Sequence, residues 1–162
     1  MTSFNAADAI IVDLRDNRGG NPGMVMFLAA YLFDHPQYLY NPRENTTRQS
    51  WTVSPVPGGN LANKAIFLLT SGRTASAAEQ FSFNLKMLGR ATIIGETTRG
   101  RAHAGVFHRI EDHFGIAIRE ARPINPYGSD DWEGVGVEPH VKVPEATALE
   151  HARKLADKVI RR

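Results

Sequence analysis

The stretch AIFLLTSGRTASAAEQF, residues 65–81, decides the fold expected for this chain. It opens with AIFLLT, a run that predicts a buried strand, and continues through a short polar loop. The apolar positions after the loop recur at helical spacing: Ala78, Phe81, Leu85 and Leu88. Gly89 is placed to end this helix, and ATIIG at 91–95 predicts the next strand. Strand, loop, helix and strand in this order predict a parallel α/β sheet.

Ser76, at the start of the predicted helix, has two interpretations. Ser76 and Glu79 fit the Ser-x-x-Glu capping box, in which the glutamate reaches back to a backbone amide, and a purely structural cap explains the pattern. A helix start also presents unpaired amides and the positive end of the helix dipole, where an oxyanion is stabilised. Ser76 is therefore also a candidate nucleophile, with Thr74 or Ser71 left to cap the helix.

The N-terminal third repeats the strand-loop-helix pattern. AIIVDL at 9–14 predicts a buried strand, RDNRGGNPG a glycine-rich loop, and the residues from about 23 to 34 an apolar helix. Residues 35–63 are polar and rich in turn residues. They predict an excursion from the core with at most a short strand around Trp51–Val53.

The C-terminal part predicts a hairpin and a final helix. GVFHRI and FGIAIRE alternate in polarity around EDH, which predicts a hairpin in which Phe114, Ile116 and Ile118 share a face. A turn-rich segment, ARPINPYGSDDWEGVGVEPH, then leads to a helix over about 145–160. Residues 1–162 are thus expected to form a single domain.

Composition excludes several classes of function. The net charge of +2 is small and the basic residues are spread out, so we expect no nucleic-acid partner. The absence of cysteine excludes a thiolate nucleophile and disulfides. The longest apolar run, at 24–33, is about half of a membrane span. No metal-ligand spacing such as His-Glu-x-x-His occurs, so we expect no metal and no other cofactor.

Two further loops carry candidate site residues. Gly19 and Gly20 follow the first strand, where they can turn the backbone and point amides at a developing oxyanion, or form an ordinary turn shaped by ion pairs among Asp13, Arg15 and Asp16. Glu133 lies in WEGVGV, at 132–137, where a carboxylate could orient a catalytic base or be a surface turn residue. Loops at the carboxyl ends of parallel strands converge, so these segments are expected to meet near Ser76.

The general base is not evident from spacing. None of the six histidines stands in a recognisable relation to Ser76. His103 and His108 follow the third strand and are the ones that could approach the site, although a lone histidine usually has no catalytic role.

Four motifs in order, DLRDNRGG, LLTSGRTASAAEQF, IIGETTRGR and WEGVGVEP, resemble the C-terminal processing, or tail-specific, serine proteases. The resemblance is greatest to the branch with the interphotoreceptor retinoid-binding protein modules and the tricorn protease core. It implies a Clp protease/crotonase-like core of stacked strand-helix units with a C-terminal helix. It also implies Ser76 as nucleophile, Glu133 as the orienting carboxylate, and an oxyanion hole from the amides of Gly19, Gly20 and Ala77.

The chain departs from the family pattern at the base. The lysine of the processing-protease branch matches Arg101, and arginine is not deprotonated near neutral pH. The tricorn-like branch uses a histidine that lies upstream of the first strand found here. The resemblance therefore implies a C-terminal catalytic domain that lacks an N-terminal region carrying the base, and that is nearly inert alone.

The resemblance leaves other readings open. One is a non-catalytic module that binds an apolar ligand or a protein partner; acyl-thioester chemistry of the crotonase kind rests on fold analogy alone. For the peptidase, the expected partners are a peptide or unfolded protein substrate and the missing N-terminal region. A homo-oligomer and a periplasmic or secreted location are also suggested.

Overall fold

The computed structural model describes residues 2–43, 50–124 and 131–161. In chain order its elements are a 3₁₀ turn (Thr2–Phe4), β1 (Ala9–Asp13), α1 (Pro22–Ala30), β2 (Tyr38–Arg43), β3 (Ser50–Trp51), β4 (Ala65–Thr70), α2 (Ala77–Met87), β5 (Thr92–Gly95), β6 (Ala104–Arg109), β7 (Gly115–Ile124), β8 (Val141–Lys142) and α3 (Glu145–Ile160). Residues 44–49 of the predicted excursion and 125–130 of the predicted turn-rich segment lie outside these ranges.

A parallel sheet in the order β1-β4-β5-β8 forms the centre of the fold. Its middle strands are apolar on both faces, and Leu68, Leu69, Ile93 and Ile94 are fully buried. One core cluster joins the sheet to α1 and α2, and a second joins it to α3. Helices on both faces explain why the strands read as unbroken apolar runs. The predicted parallel α/β core with a C-terminal helix is confirmed.

The first helix ends earlier than expected. α1 begins with Pro22 after an Asn21 cap, as helices often do, but it stops at Ala30 rather than near residue 34. The Tyr31 carbonyl accepts the Leu61 amide at 2.7 Å, and the Leu32 carbonyl accepts Nε of Arg90 at 2.6 Å. These long-range bonds satisfy the carbonyls at the helix end. The spacing of apolar residues cannot predict them, so the end of the helix was placed too late.

A second sheet, in the order β3-β2-β7-β6, corrects the expectation for residues 35–63. The excursion contains the six-residue strand β2, and the short strand near Trp51 begins one residue earlier than predicted. Pro42 of β2 pairs with Pro123 of β7. A proline within a segment argues against a strand when only the sequence is considered. β2 is therefore recognised only from its pairing with the distant β7.

The predicted hairpin is present as β6 and β7, and its residues from 104 to 120 are exposed on both faces. The two-residue strand β8 was not predicted, because so short a strand leaves no pattern. In the described ranges no helix is long and apolar enough to cross a bilayer.

Candidate active site

Three loops that follow β1, β4 and β5 meet at the carboxyl edge of the parallel sheet. The amide of Ala75 donates to the Asn17 carbonyl at 3.0 Å, which joins the second loop to the first. The amide of Arg99 donates to the Thr74 carbonyl at 2.9 Å, which joins the third loop to the second. The expected convergence is therefore present in the backbone itself.

Ser76 lies at the centre of this cluster and is exposed to solvent. Its backbone has φ 56° and ψ −122°, and it is the one non-glycine residue with positive φ in the described part of the chain. Such a conformation costs about 1–3 kcal/mol and persists only where the surroundings impose it. A strained turn between a strand and a helix is an established way to expose a nucleophile.

The side chain of Glu79 holds Ser76 in this positive-φ conformation. This side chain is fully buried, and its carboxylate accepts the Ser76 amide at 2.7 Å, which is the glutamate half of the predicted capping box. The same carboxylate accepts the Thr98 hydroxyl at 2.6 Å and the amides of Gly100 and Arg101 at 2.6 and 2.9 Å. The sequence pattern identified Glu79 as a cap, but its contacts with the third loop depend on tertiary structure.

The glycine loop lies directly against the serine. A methyl group at Gly19 would come within 2.7 Å of Ser76 Cβ, and the φ of Gly19 is +112°. The Gly19 amide donates to Asn17 Oδ1 at 2.9 Å. The amides of Gly20 and Ala77, by contrast, have no acceptor among the described residues. Of the three amides expected to form an oxyanion hole, these two are available to a ligand.

Glu133 belongs to the same group of loops but does not contact Ser76. Its carboxylate accepts the amides of Ala102 and His103 at 2.7 and 3.0 Å and pairs with the guanidinium of Arg119. The amide of the next residue, Gly134, donates to the Gly100 carbonyl at 3.0 Å. Glu133 is thus linked through one loop to the residues that Glu79 holds.

His103, whose amide donates to Glu133, also forms a side-chain pair with a carboxylate. Its Nε2 is 3.2 Å from Asp131 Oδ2, and both side chains are partly buried. In the described ranges no histidine bonds to Ser76. His108 pairs with Glu120 on the exposed hairpin.

Ion pairs shape the glycine loop, as expected, and extend beyond it. Arg15 pairs with Asp13 at 2.5 Å, and the pKa of Asp13 is lowered by this hydrogen-bonded guanidinium. Asp16 pairs instead with Arg73, which also contacts Glu145 at the start of α3. Within the described residues, no group of three potential ligand side chains could hold a metal ion.

Comparisons with known proteins match this chain to one family of peptidases. The family model described as Peptidase family S41 matches residues 1–143. A carboxyl-terminal-processing protease of Synechocystis is 29% identical over 124 residues, 76% of this chain and 28% of the relative. The chloroplastic carboxyl-terminal-processing peptidase 2 of Arabidopsis thaliana is 28% identical over 144 residues, 88% of this chain and 27% of that protein.

A solved structure described as photosystem II D1 C-terminal processing protease superposes with a TM-score of 0.75 at 25% identity. The superposition covers 95% of this chain and 40% of that one. The expected Clp protease/crotonase-like fold is therefore confirmed. This chain spans less than one third of the length of the two relatives named above.

Proposed function

This chain belongs to peptidase family S41, and from that premise we propose that it is the catalytic domain of a serine endopeptidase. Ser76 is the proposed nucleophile, and the amides of Gly20 and Ala77 form the proposed oxyanion hole. The observation that carries the proposal is the exposed, strained Ser76 next to two amides without an acceptor.

The proposed reaction has the steps of acyl transfer. Ser76 Oγ attacks the carbonyl carbon of the substrate while a base takes its proton, and the two amides stabilise the tetrahedral oxyanion. The C–N bond then breaks, the base returns the proton to the leaving amine, and water hydrolyses the acyl-enzyme by the same route.

We propose that the base comes from a region outside this chain. Arg101 occupies the position of the family's lysine, and its side chain cannot accept a proton at neutral pH. The chain covers 28% of its Synechocystis relative, so that relative has ample length to supply such a residue. Glu133, a partly buried carboxylate beside the site, is the proposed partner of an incoming histidine.

The proposed substrates are peptides or unfolded proteins, since an exposed serine at the rim of a sheet is open to an extended chain. A periplasmic, secreted or comparable non-cytoplasmic location and a homo-oligomeric state belong to the same proposal. The binding-module alternative is weaker, because ligand binding alone does not require a strained, exposed serine.

The test joins these residues to the upstream region of the same protein and measures hydrolysis of an unstructured peptide and labelling by a fluorophosphonate. Ser76→Ala should abolish both, a loss of about 10³-fold or more in turnover. Ser3→Ala, at an exposed position in the N-terminal 3₁₀ turn, is the matched control. Unchanged hydrolysis in the Ser76 variant would refute the proposal.

A further inference from the structure

The three loops that meet around Ser76 carry an excess of positive charge. They comprise residues 14–21, 71–76 and 96–103, which follow β1, β4 and β5. Five arginines and two carboxylates lie in them, so their net charge is +3, whereas that of the entire chain is +2. The order of residues along the sequence hides this excess, because the arginines come from distant segments. The fold therefore concentrates positive charge at the candidate active site.

Three of these five arginines have no carboxylate partner. Arg15 and Arg73 form ion pairs. The side chains of Arg18, Arg99 and Arg101 form no hydrogen bond or ion pair with any residue that the structure describes, and all three are exposed. We call this set the three unpaired arginines. Their charge is available to a ligand.

The carboxylates on and beside these loops are engaged elsewhere. Glu79 accepts four donors, three of them backbone amides. Glu96 accepts the amides of Gly72 and Glu145 at 3.4 and 3.1 Å. Glu133 is held by two amides and an arginine of the hairpin. These groups are therefore not partners of the three unpaired arginines.

Arg101 lies very close to the proposed nucleophile. Its amide and the amide of Ser76 donate to the same oxygen of Glu79, at 2.9 and 2.7 Å. The two backbone nitrogens therefore cannot be farther apart than these two bonds placed end to end. At physiological ionic strength exposed charges interact over about 8 Å, so the charge of Arg101 acts on a substrate at Ser76.

Arg18 and Arg99 lie beside the same serine on the other two sides of the loop cluster in sequence. Arg18 precedes Gly19, where an added methyl group would come within 2.7 Å of Ser76 Cβ. The amide of Arg99 donates at 2.9 Å to the carbonyl of Thr74, two residues before Ser76. The first and third loops thus each bring an unpaired arginine to the serine turn.

We propose that Arg18, Arg99 and Arg101 select an anionic peptide, one with a carboxylate within a few residues of the bond that Ser76 attacks. The carboxylate is an aspartate or glutamate side chain or the C-terminal group of the substrate. This inference rests on the proposed function and names the class of its substrate.

A substrate explains this arrangement better than folding does. Exposed like charges that lie close together repel each other and do not favour the folded state. A carboxylate beside them gains charge-assisted hydrogen bonds, and the field of the site attracts it from solution. The N-terminal end of α2, directly after Ser76, adds the positive end of a helix dipole to this field.

Binding can be measured on this chain without turnover, because it needs no general base. The probes are short peptides of alanine and serine that carry an uncharged BODIPY dye and are followed by fluorescence anisotropy. The acidic probe is end-blocked and has a glutamate on each side of its central alanine pair, and the neutral probe has glutamine there. A third probe has neutral side chains and a free C-terminal carboxylate, which separates the two sources of charge.

We expect the acidic probe, the free-carboxylate probe or both to bind about tenfold or more tightly than the neutral probe at about 0.02 M salt. The preference should fall to about twofold or less at about 0.5 M salt, because counterions screen exposed charges. Equal binding of all three probes would overturn the proposal. A single-stranded oligonucleotide of equal charge that binds as tightly as the acidic probe would also overturn it, since the loops would then bind any polyanion.

Single substitutions locate the site. Arg18→Ala, Arg99→Ala and Arg101→Ala should each weaken binding of the preferred probe about fivefold or more, whereas Arg101→Lys keeps the charge and should bind within about twofold of the wild type. Arg153→Ala removes the same charge from an exposed position of α3 and is the matched control, with a change of less than about twofold. Equal losses in Arg153→Ala and the site variants would show that only the net charge matters and would overturn the proposal. Circular dichroism and thermal unfolding check that each variant folds.

The longer protein separates this inference from the proposed function. Its kcat/KM should be about tenfold or more higher for the preferred carboxylate-bearing peptide than for the neutral one. Equal hydrolysis of the charged and neutral peptides would overturn the inference and leave the peptidase intact. Arginine-dependent binding of the charged probe, without hydrolysis by the longer protein, would refute the peptidase and leave the anionic-peptide site intact.

Discussion

The buried carboxylate of Glu79, in the first turn of α2, accepts the backbone amide of Ser76 at 2.7 Å and so holds the proposed nucleophile in its strained conformation. The same carboxylate accepts the amides of Gly100 and Arg101 from the next loop. A single side chain thereby couples the shape of the serine turn to the loop that leads to Glu133.

Removing the charge of Glu79 should damage both stability and the site. In Glu79→Gln, the amide NH₂ group would face backbone donors in place of a carboxylate oxygen. We expect the free energy of unfolding to fall by about 2–4 kcal/mol, as for other broken buried networks. Urea denaturation measures this, with Glu150→Gln at an exposed position of α3 as the control, expected to leave the free energy of unfolding nearly unchanged. Equal effects of the two substitutions would show that the Glu79 network contributes little.

Gly19→Ala should impair the proposed oxyanion hole more than it impairs folding. The new methyl group would come within 2.7 Å of Ser76 Cβ, and residue 19 would be strained at φ +112°. Gly59 has a φ of +83° with open space around it, so Gly59→Ala carries backbone strain without the contact. We expect both variants to lose about 1–3 kcal/mol of stability, and only Gly19→Ala to lose labelling of Ser76 in the longer protein, by about tenfold or more. Similar labelling in both variants would contradict the placement of the loop.

Arg101→Lys should leave activity of the longer protein within about threefold of the wild type. The structure engages residue 101 through its backbone amide, which lysine retains, and the proposed base lies elsewhere. The measurement is the pH dependence of peptide hydrolysis, compared with Arg101→Ala. A large gain of activity toward alkaline pH in the lysine variant alone would show that a serine-lysine pair can operate here.

His140 should make the fold less stable as the pH falls. Burial, followed by the charge of Lys86, lowers the pKa of His140 below its usual value, and its Nδ1 accepts the Ile93 amide at 2.9 Å. The unfolded chain therefore takes up the proton first, and the stability contribution is lost as the pH falls below about 6.5.

Urea unfolding between pH 7.5 and 5 should show a smaller decline for His140→Gln, because glutamine can accept the Ile93 amide without titrating. An NMR titration midpoint of His140 at or above that of an unfolded histidine would contradict this assignment.

The pattern of apolar residues was enough to predict the parallel core. Runs such as AIFLLT, and the helical spacing in α2 and α3, arise because each element buries its own apolar face. Local motifs and the family resemblance also selected Ser76, Gly20 and Glu133 as candidate site residues, and the structure groups their loops together. Strand β2 was not predicted, because it depends on pairing with the distant β7. The end of α1 was misplaced, because it depends on hydrogen bonds from Leu61 and Arg90.

The sequence by itself determined the strands and helices of the parallel core, including the helix that begins directly after Ser76, since these follow from local propensity and apolar spacing. Only tertiary structure decided what surrounds the serine: the four donors on Glu79, the engagement of Glu133 by two amides and Arg119, and the apolar cavity lined by Gly20 and Ala77. The physical reason is that a hydrogen bond or a cavity wall depends on the distance between atoms of remote residues, and that distance exists only after the chain has packed.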